Sequence, residues 1–125
     1  MLEGSDLPCR GMRVLLVDDD EVVLEVFADM VVSLGAEVTT ATSVREARPL
    51  LQSFGPTVVI TDIYMPEESG LILRAEVRHW NPAVPVLALT GADDGAIPPD
   101  AGFVHVLQKP VLLQTLAAIL KTLQR

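Results

Sequence analysis

The stretch Val58-Val-Ile-Thr-Asp62-Ile-Tyr-Met-Pro66 decides how the rest of the chain is read. Its first four residues have the apolar, β-favouring composition of a short buried strand, and they deliver one carboxylate, Asp62, to the start of a loop. Comparable runs lie on both sides. Val14 to Val17 is continuously aliphatic and stops in Asp18-Asp19-Asp20-Glu21, while Glu37 to Ala41 alternates and is rich in Val and Thr. Val86 to Thr90 and Phe103 to Leu107 follow, the latter shortly before Lys109-Pro110. Aliphatic runs without alternation fit parallel strands buried on both faces.

Helical spacing fills the intervals. Val23, Phe27, Met30 and Leu34 predict the inner face of a first helix, with acids at its positive end and Gly35 as its left-handed stop. Ser43-Val-Arg-Glu46 is a capping-box sequence opening a helix over about residues 44 to 54, with Pro49 a distortion inside it and Gly55-Pro56 its end. Leu73, Val77 and Trp80 predict the inner face of a third helix that ends before Asn81-Pro82. Residues 91 to 102 hold three glycines and an adjacent proline pair, a composition expected to give a loop with at most a short turn. Leu112, Leu113, Leu116, Ala117, Leu120 and Leu123 predict the buried stripe of a terminal helix.

Five strands alternating with helices imply an α/β fold with an open parallel sheet, right-handed crossovers and helices on both faces. Ligands of such sheets sit at the C-terminal edge of the strands. A chain of 125 residues has room for one such domain, and a composition 50% hydrophobic but only 4% aromatic points to an aliphatic core. Residues 1–12 read as a leader or linker and residues 13–125 as the domain.

The net charge of −8 opposes direct binding to nucleic acid or anionic membrane surfaces. Cys9 is the only cysteine, which rules out an intrachain disulfide and fits a reducing, cytoplasmic setting. No basic and apolar signal segment opens the sequence, and no apolar run is long enough to span a bilayer, so a soluble, unprocessed protein is expected.

At the strand ends stand Asp18 and Asp19, then Asp62, then Thr90, then Lys109, all groups used in phosphate chemistry. In this order the sequence resembles the receiver domain of bacterial two-component response regulators: Val-Asp18-Asp19, Asp62-Ile-Tyr-Met-Pro66 with Gly70, Leu-Thr90 and Lys109-Pro110, over about residues 13 to 124. Acidic pairs and Lys-Pro dipeptides are each common; their succession at consecutive strand ends makes the match specific.

The resemblance implies the CheY-like, flavodoxin-like doubly wound sheet of order 2-1-3-4-5, in which Asp18, Asp19 and Asp62 converge. Three close carboxylates resist ionising together unless a cation intervenes, and hard oxygen ligands beside a phosphate favour Mg²⁺. The family pattern implies that Asp19 and Asp62 ligate it directly, Asp18 mainly through water, and Tyr64 through its backbone carbonyl. It further implies that Asp62 accepts a phosphoryl group from a phosphohistidine, that Lys109 neutralises that group, that Thr90 hydrogen-bonds it and that Lys109-Pro110 is a cis corner. The expected partners are a sensor histidine kinase or histidine phosphotransfer protein upstream and a further protein downstream. The expected output is a signal, not substrate turnover.

Taken singly, these residues have plainer readings. The acids after the first strand suit any helix N-terminus, Asp62 any turn, Thr90 any strand end and Lys109 any surface. His79 and His105 lack metal-ligand spacing and read as surface or packing residues. Two alternatives belong to other classes. Asp18-Asp-Asp20-Glu-Val22 also resembles the nucleophile motif of haloacid-dehalogenase-type phosphatases, with Asp18 as nucleophile and Asp20 as general acid, but Asp93-Asp94 precede Lys109 where that family needs the reverse order. The other is a receiver-like docking module that never carries phosphate.

The sequence also departs from the family. Receivers usually place Tyr or Phe three positions before the lysine, where this chain has Val106, and Phe103 and His105 lie on the opposite strand parity. The helix usually found between the last two strands is expected to be short or irregular, and Gly91 stands where a small alanine is usual. An output surface shifted toward the first and terminal helices is therefore expected.

Overall fold

The computed structural model describes residues 7–91, 97 and 101–124. Its elements in chain order are β1 (Arg13–Val17), α1 (Glu21–Ser33), β2 (Glu37–Ala41), α2 (Val44–Ser53), β3 (Val58–Asp62), α3 (Gly70–Trp80), β4 (Val86–Thr90), β5 (His105–Gln108) and α4 (Leu113–Leu123). All strand pairs are parallel, and the sheet order is β2-β1-β3-β4-β5. This is the doubly wound arrangement expected from the strand and helix alternation. The helix expected to be short or irregular between β4 and β5 falls on residues outside the described ones.

Alternation along β1 divides the core between the two faces of the sheet. Val14 and Leu16 join Leu24, Phe27, Val31, Leu116 and Leu120 under α1 and α4. Leu15 and Val17 join Val44, Ala47, Leu51, Leu73 and Val77 under α2 and α3. β3 and β4 are buried along their whole lengths, so each of their aliphatic side chains contributes roughly 1.5–3 kcal/mol of burial. Cys9 and Met12 are also buried, in the cluster under α1 and α4, and Cys9 N–H donates to Leu34 O at 2.8 Å. Burial pushes the Cys9 thiol pKa up.

Four expectations shift. The buried stripe of α1 is Leu24, Phe27 and Val31, with Leu34 at its end, while Val23 and Met30 flank it half-buried, because capping at Asp20 fixes the rotation of the first turn. Trp80, placed on the inner face by its spacing and open to core or rim packing, is 37% exposed and takes the rim position, since α3 ends on it. β5 starts at His105 instead of Phe103, although Val104 N–H still reaches Val86 O at 3.0 Å. Leu112 is 67% exposed and Leu113 is exposed as well, because the helix begins only at Leu113; Leu116 and Leu120 carry the full burial.

The capping box forms with a shift of one residue. Ser43 Oγ accepts Glu46 N–H at 3.1 Å, and the Glu46 carboxylate reaches back past Ser43 to accept from Thr42 N–H at 2.7 Å and its hydroxyl at 2.6 Å. Those hydrogen bonds hold the Glu46 carboxyl below its usual pKa. Pro49 lies on the exposed side of α2, which continues through it. Ser43→Ala is expected to lower stability by about 1 kcal/mol, measured as a fall in the urea midpoint at unchanged slope.

Candidate functional site

The register places the functional strand ends side by side. Val17 pairs with Thr61, Asp62 with Leu89, and Thr90 with Gln108, so Asp18, Asp62, Thr90 and Lys109 emerge along one edge of the sheet. Asp18 is 1% exposed and Asp62 6%, with Asp19 open to solvent beside them. One ligand oxygen from each of Asp18, Asp19 and Asp62 can be chosen so that all lie within 4.8 Å of one another.

Lys109, the residue after β5, joins this cluster. Its Nζ lies 2.8 Å from Asp18 Oδ2 and 3.3 Å from Asp62 Oδ2. The Asp18 contact has ion-pair distance without hydrogen-bond alignment, which leaves the buried Oδ2 without an aligned donor. Asp18 Oδ1 accepts Asp20 N–H at 3.0 Å. Lys109 N–H donates to Thr90 O at 2.7 Å, tying the ammonium's backbone to the end of β4, and the Lys109-Pro110 bond is cis.

Burial raises the Asp62 pKa; Lys109 opposes that rise, and Asp18 and Asp19 reinforce it. For Lys109, burial acts to lower the pKa, but Asp18 and Asp62 outweigh it and hold the ammonium above its ordinary value. The site thus keeps a firm positive charge against an acid that is reluctant to ionise. Three carboxylates that can each bring an oxygen to one place, on residues that include the buried Asp18 with its Oδ2 lacking an aligned hydrogen bond, suit a hard divalent cation.

The loop after Asp62 is fixed by features that sequence reading missed or used only as a motif. Gly70, the first residue of α3, donates its N–H to Ile63 O at 2.9 Å, and a Cβ on it would stand 2.3 Å from Asp62 O. Only a residue without a side chain allows α3 to start this close to Asp62. Glu67 has φ 71°, a left-handed backbone uncommon for a non-glycine residue. Arg48 of α2 grips Glu68 of the loop at 2.9 Å and Glu76 of α3 at 2.7 Å, which holds its guanidinium above its ordinary pKa. Contacts between residues so far apart in sequence leave no local signal. Tyr64 lies in this loop with its ring half-exposed, two residues beyond Asp62.

Asp20 stands apart from the cluster. Its carboxylate accepts Val22 and Val23 N–H at 3.0 and 3.1 Å as the cap of α1, so the plain helix-terminus reading holds for it, and its general-acid role in the phosphatase alternative loses support. His79 and His105 are exposed, away from the acidic cluster.

Comparison with known proteins then assigns the family. The model of the response regulator receiver domain matches residues 14–121. The chain belongs to the response regulator receiver family. It is 34% identical over 117 residues to the response regulator MprA of Mycolicibacterium vanbaalenii, covering 91% of this chain and 51% of that protein. It is 34% identical over 107 residues to the regulator of RpoS of Escherichia coli K12, covering 83% of this chain and 32% of that protein. The chain therefore spans about half of the first relative and about a third of the second.

Among solved structures, a receiver domain protein from Clostridium thermocellum superposes with a TM-score of 0.81 at 29% identity, covering 90% of this chain and 93% of that one. Vibrio cholerae chemotaxis protein CheY4 gives 0.79 at 27%, covering 90% and 98%. This receiver domain is a module of two-component phosphorelay signalling, and the phosphatase alternative is not favoured.

Two outcomes follow from the receiver's geometry. Gly70→Ala is expected to cost about 1–3 kcal/mol by overpacking against the Asp62 carbonyl, read as a lower denaturation midpoint. Because the folded-state pKa of Asp62 lies above its ordinary 3.8, ionising it disfavours the folded state; the penalty is absent below 3.8, grows as pH rises through the raised value and is full above it. In metal-free buffer Asp62→Asn is therefore expected to melt higher than the wild type at neutral pH, with the difference shrinking as pH falls toward 3.8. A melting difference independent of pH would contradict that origin.

Proposed function

We propose that Asp62 is the phosphoacceptor of this receiver, with Lys109 as the charge partner of the phosphoryl group and Thr90 as the switch. The observation that carries the reading is the Lys109 ammonium lying against both Asp18 and Asp62, at 2.8 and 3.3 Å, at the end of a buried strand. An Asp62 oxygen attacks the phosphorus of a phosphohistidine, the phosphorus–nitrogen bond breaks, and the imidazole leaves with its electron pair. Lys109 offsets the negative charge on the phosphoryl oxygens. The Thr90 hydroxyl, buried at the end of β4, donates to the new phosphoryl group and draws the β4 end toward it.

The cation proposed for the acidic cluster is Mg²⁺, held directly by Asp19 and Asp62, through water by Asp18 and by the Tyr64 carbonyl. When bound, it supplies charge neutralisation that lets neighbouring carboxylates and a phosphate coexist. The buried Asp18 Oδ2 without an aligned donor supports this assignment.

The donor is a sensor histidine kinase or a histidine phosphotransfer protein, and the recipient of the signal is a further protein, without direct nucleic-acid contact. The chain acts as a phosphoacceptor that promotes its own phosphorylation and dephosphorylation, with no separate substrate. Among the described residues no helix is long and apolar enough to cross a membrane, and a cytoplasmic location is proposed. Residues 13–125 form the receiver, and residues 1–12 a leader or linker whose Cys9 and Met12 are fastened into the core. Val106 is 50% exposed on β5, which supports an output that does not use an inward-moving ring at that position and that engages α1 and α4.

Exposure to Mg²⁺ and a small acyl phosphate, followed by intact-mass measurement, tests the assignment. The wild type is expected to gain one phosphoryl mass, Asp62→Asn none, and Lys109→Gln to react slower by about a hundredfold. Labelling that survives Asp62→Asn but disappears in Asp18→Asn would instead restore the phosphatase-like site.

A further inference from the structure

We propose that a cleft at the opposite, N-terminal edge of the sheet is a docking site for an acidic segment of a partner protein. The cleft has a volume of about 1170 Å³ and is walled by the segments leading into β1, β3, β4 and β5 and by the last turns of α3 and α4. Arg10, Arg74 and Arg78 line it together with Trp80, Pro82 and Pro85, and among the described residues no aspartate or glutamate does. In a chain with 9 basic and 17 acidic residues, this is a local reversal of charge.

These three arginines differ from the others that shape the fold. Arg13 pairs with Glu37, and Arg48 with Glu68 and Glu76. Among the described residues, the guanidinium groups of Arg10, Arg74 and Arg78 have no carboxylate partner. Arg78 in the last turn of α3 also complements the helix dipole, but Arg74 lies a turn earlier and Arg10 lies outside any helix, so that effect does not account for the cluster. Arg74 is held by packing: its guanidinium lies over Gly102, where a Cβ would meet Nη1 at 2.2 Å. A donor fork fixed before binding loses less conformational freedom when a carboxylate arrives.

The chemistry of the lining selects the occupant. Guanidinium groups bind carboxylates in bidentate fashion, while the exposed indole and the prolines offer an apolar strip to alternate side chains. The cleft is open and exceeds the roughly 300–1,000 Å³ of small-molecule pockets, which fits an extended chain better than a compact ligand. The net charge of −8 opposes a long nucleic-acid polyanion, whereas a short acidic segment engages only the local positive surface. The strands separate this edge from Asp62, so docking here leaves the phosphoryl site open.

Trp80 is the only tryptophan, so its emission reports on the cleft directly. Titration with a peptide of alternating glutamate and leucine, at physiological salt where charges are screened beyond about 8 Å, is expected to give a saturable shift in that emission. A lysine–leucine peptide of equal length is expected to give none. Arg74→Gln combined with Arg78→Gln is expected to weaken binding about tenfold, whereas Arg45→Gln on α2, outside the cleft, changes it by less than about twofold. Arg74→Lys, which keeps the charge but loses the fork, is expected to fall between, and phosphoryl labelling by intact mass is expected to stay at the wild-type level in all three variants. Absence of a saturable shift, an equal effect of Arg45→Gln, or full displacement of the peptide by inorganic phosphate at matched ionic strength would overturn the proposal, the last by revealing a small-anion site.

Discussion

Two buried carboxylates facing one lysine form the interaction on which this domain is arranged. Asp18 and Asp62 end neighbouring strands, and without Lys109 their mutual repulsion at low exposure would oppose folding. Lys109 reaches them from the far side of β4, at the edge of the sheet. The sheet order and the bond from Lys109 N–H to Thr90 O are therefore also constraints on charge: moving β5 by one residue would remove the ammonium from both acids. Such a site is poorly optimised for stability, because the same burial that makes Asp62 reluctant to ionise makes it responsive to a cation or a phosphoryl group. The aliphatic strands beneath it supply the stability that the acids withhold.

The interactions that hold the site explain what could be read from the sequence. β3 and β4 begin in aliphatic runs and end in residues of another chemistry, so both strands and the places of Asp62 and Thr90 were legible, although β3 runs one residue past the expected Thr61 and includes Asp62 itself. β2 and the Ser43 cap were legible because their signals are local. The start of α4 was not, because Leu112 and Leu113 have the same composition as the buried Leu116 and Leu120, and only the position of the first turn separates them. Helical periodicity likewise placed Phe27 and Leu34 of α1 correctly but chose Val23 and Met30 over their buried neighbours Leu24 and Val31, since valine, leucine and methionine at adjacent positions give the same local signal. Within the site, the acids and the lysine stand at strand ends that a sequence displays. The Arg48 grip on Glu68 and Glu76 joins α2 to α3 and the loop before it, and nothing local announces it.

Gly70 shows how a motif and a contact differ in content. As part of a family pattern it marks the receiver; in the structure it is the reason α3 can begin against the Asp62 carbonyl. Arg48 then braces the same loop from the other side through Glu68. The loop that carries the Tyr64 carbonyl is thus held at both ends by elements packed on one face of the sheet, α2 and α3. Thr90 ends β4 and Lys109 directly follows β5, strands that the α1 and α4 layer also covers. The acidic cluster is where the two layers meet, so a charge change there acts on both.

The opposite edge of the sheet obeys a different constraint. Parallel strands gather their C-terminal ends at one edge and their N-terminal ends at the other, and here the acidic cluster occupies the first while three arginines without carboxylate partners among the described residues border the second. Placing the basic residues beside the acids would neutralise the very carboxylates that must remain available to a cation. Segregating them leaves Lys109 as the ammonium against Asp18 and Asp62, while the far edge keeps three guanidinium groups together in one cleft. One sheet therefore presents an acidic end suited to a phosphoryl group and a basic end suited to carboxylates, and the buried strands between them keep the two charges from cancelling.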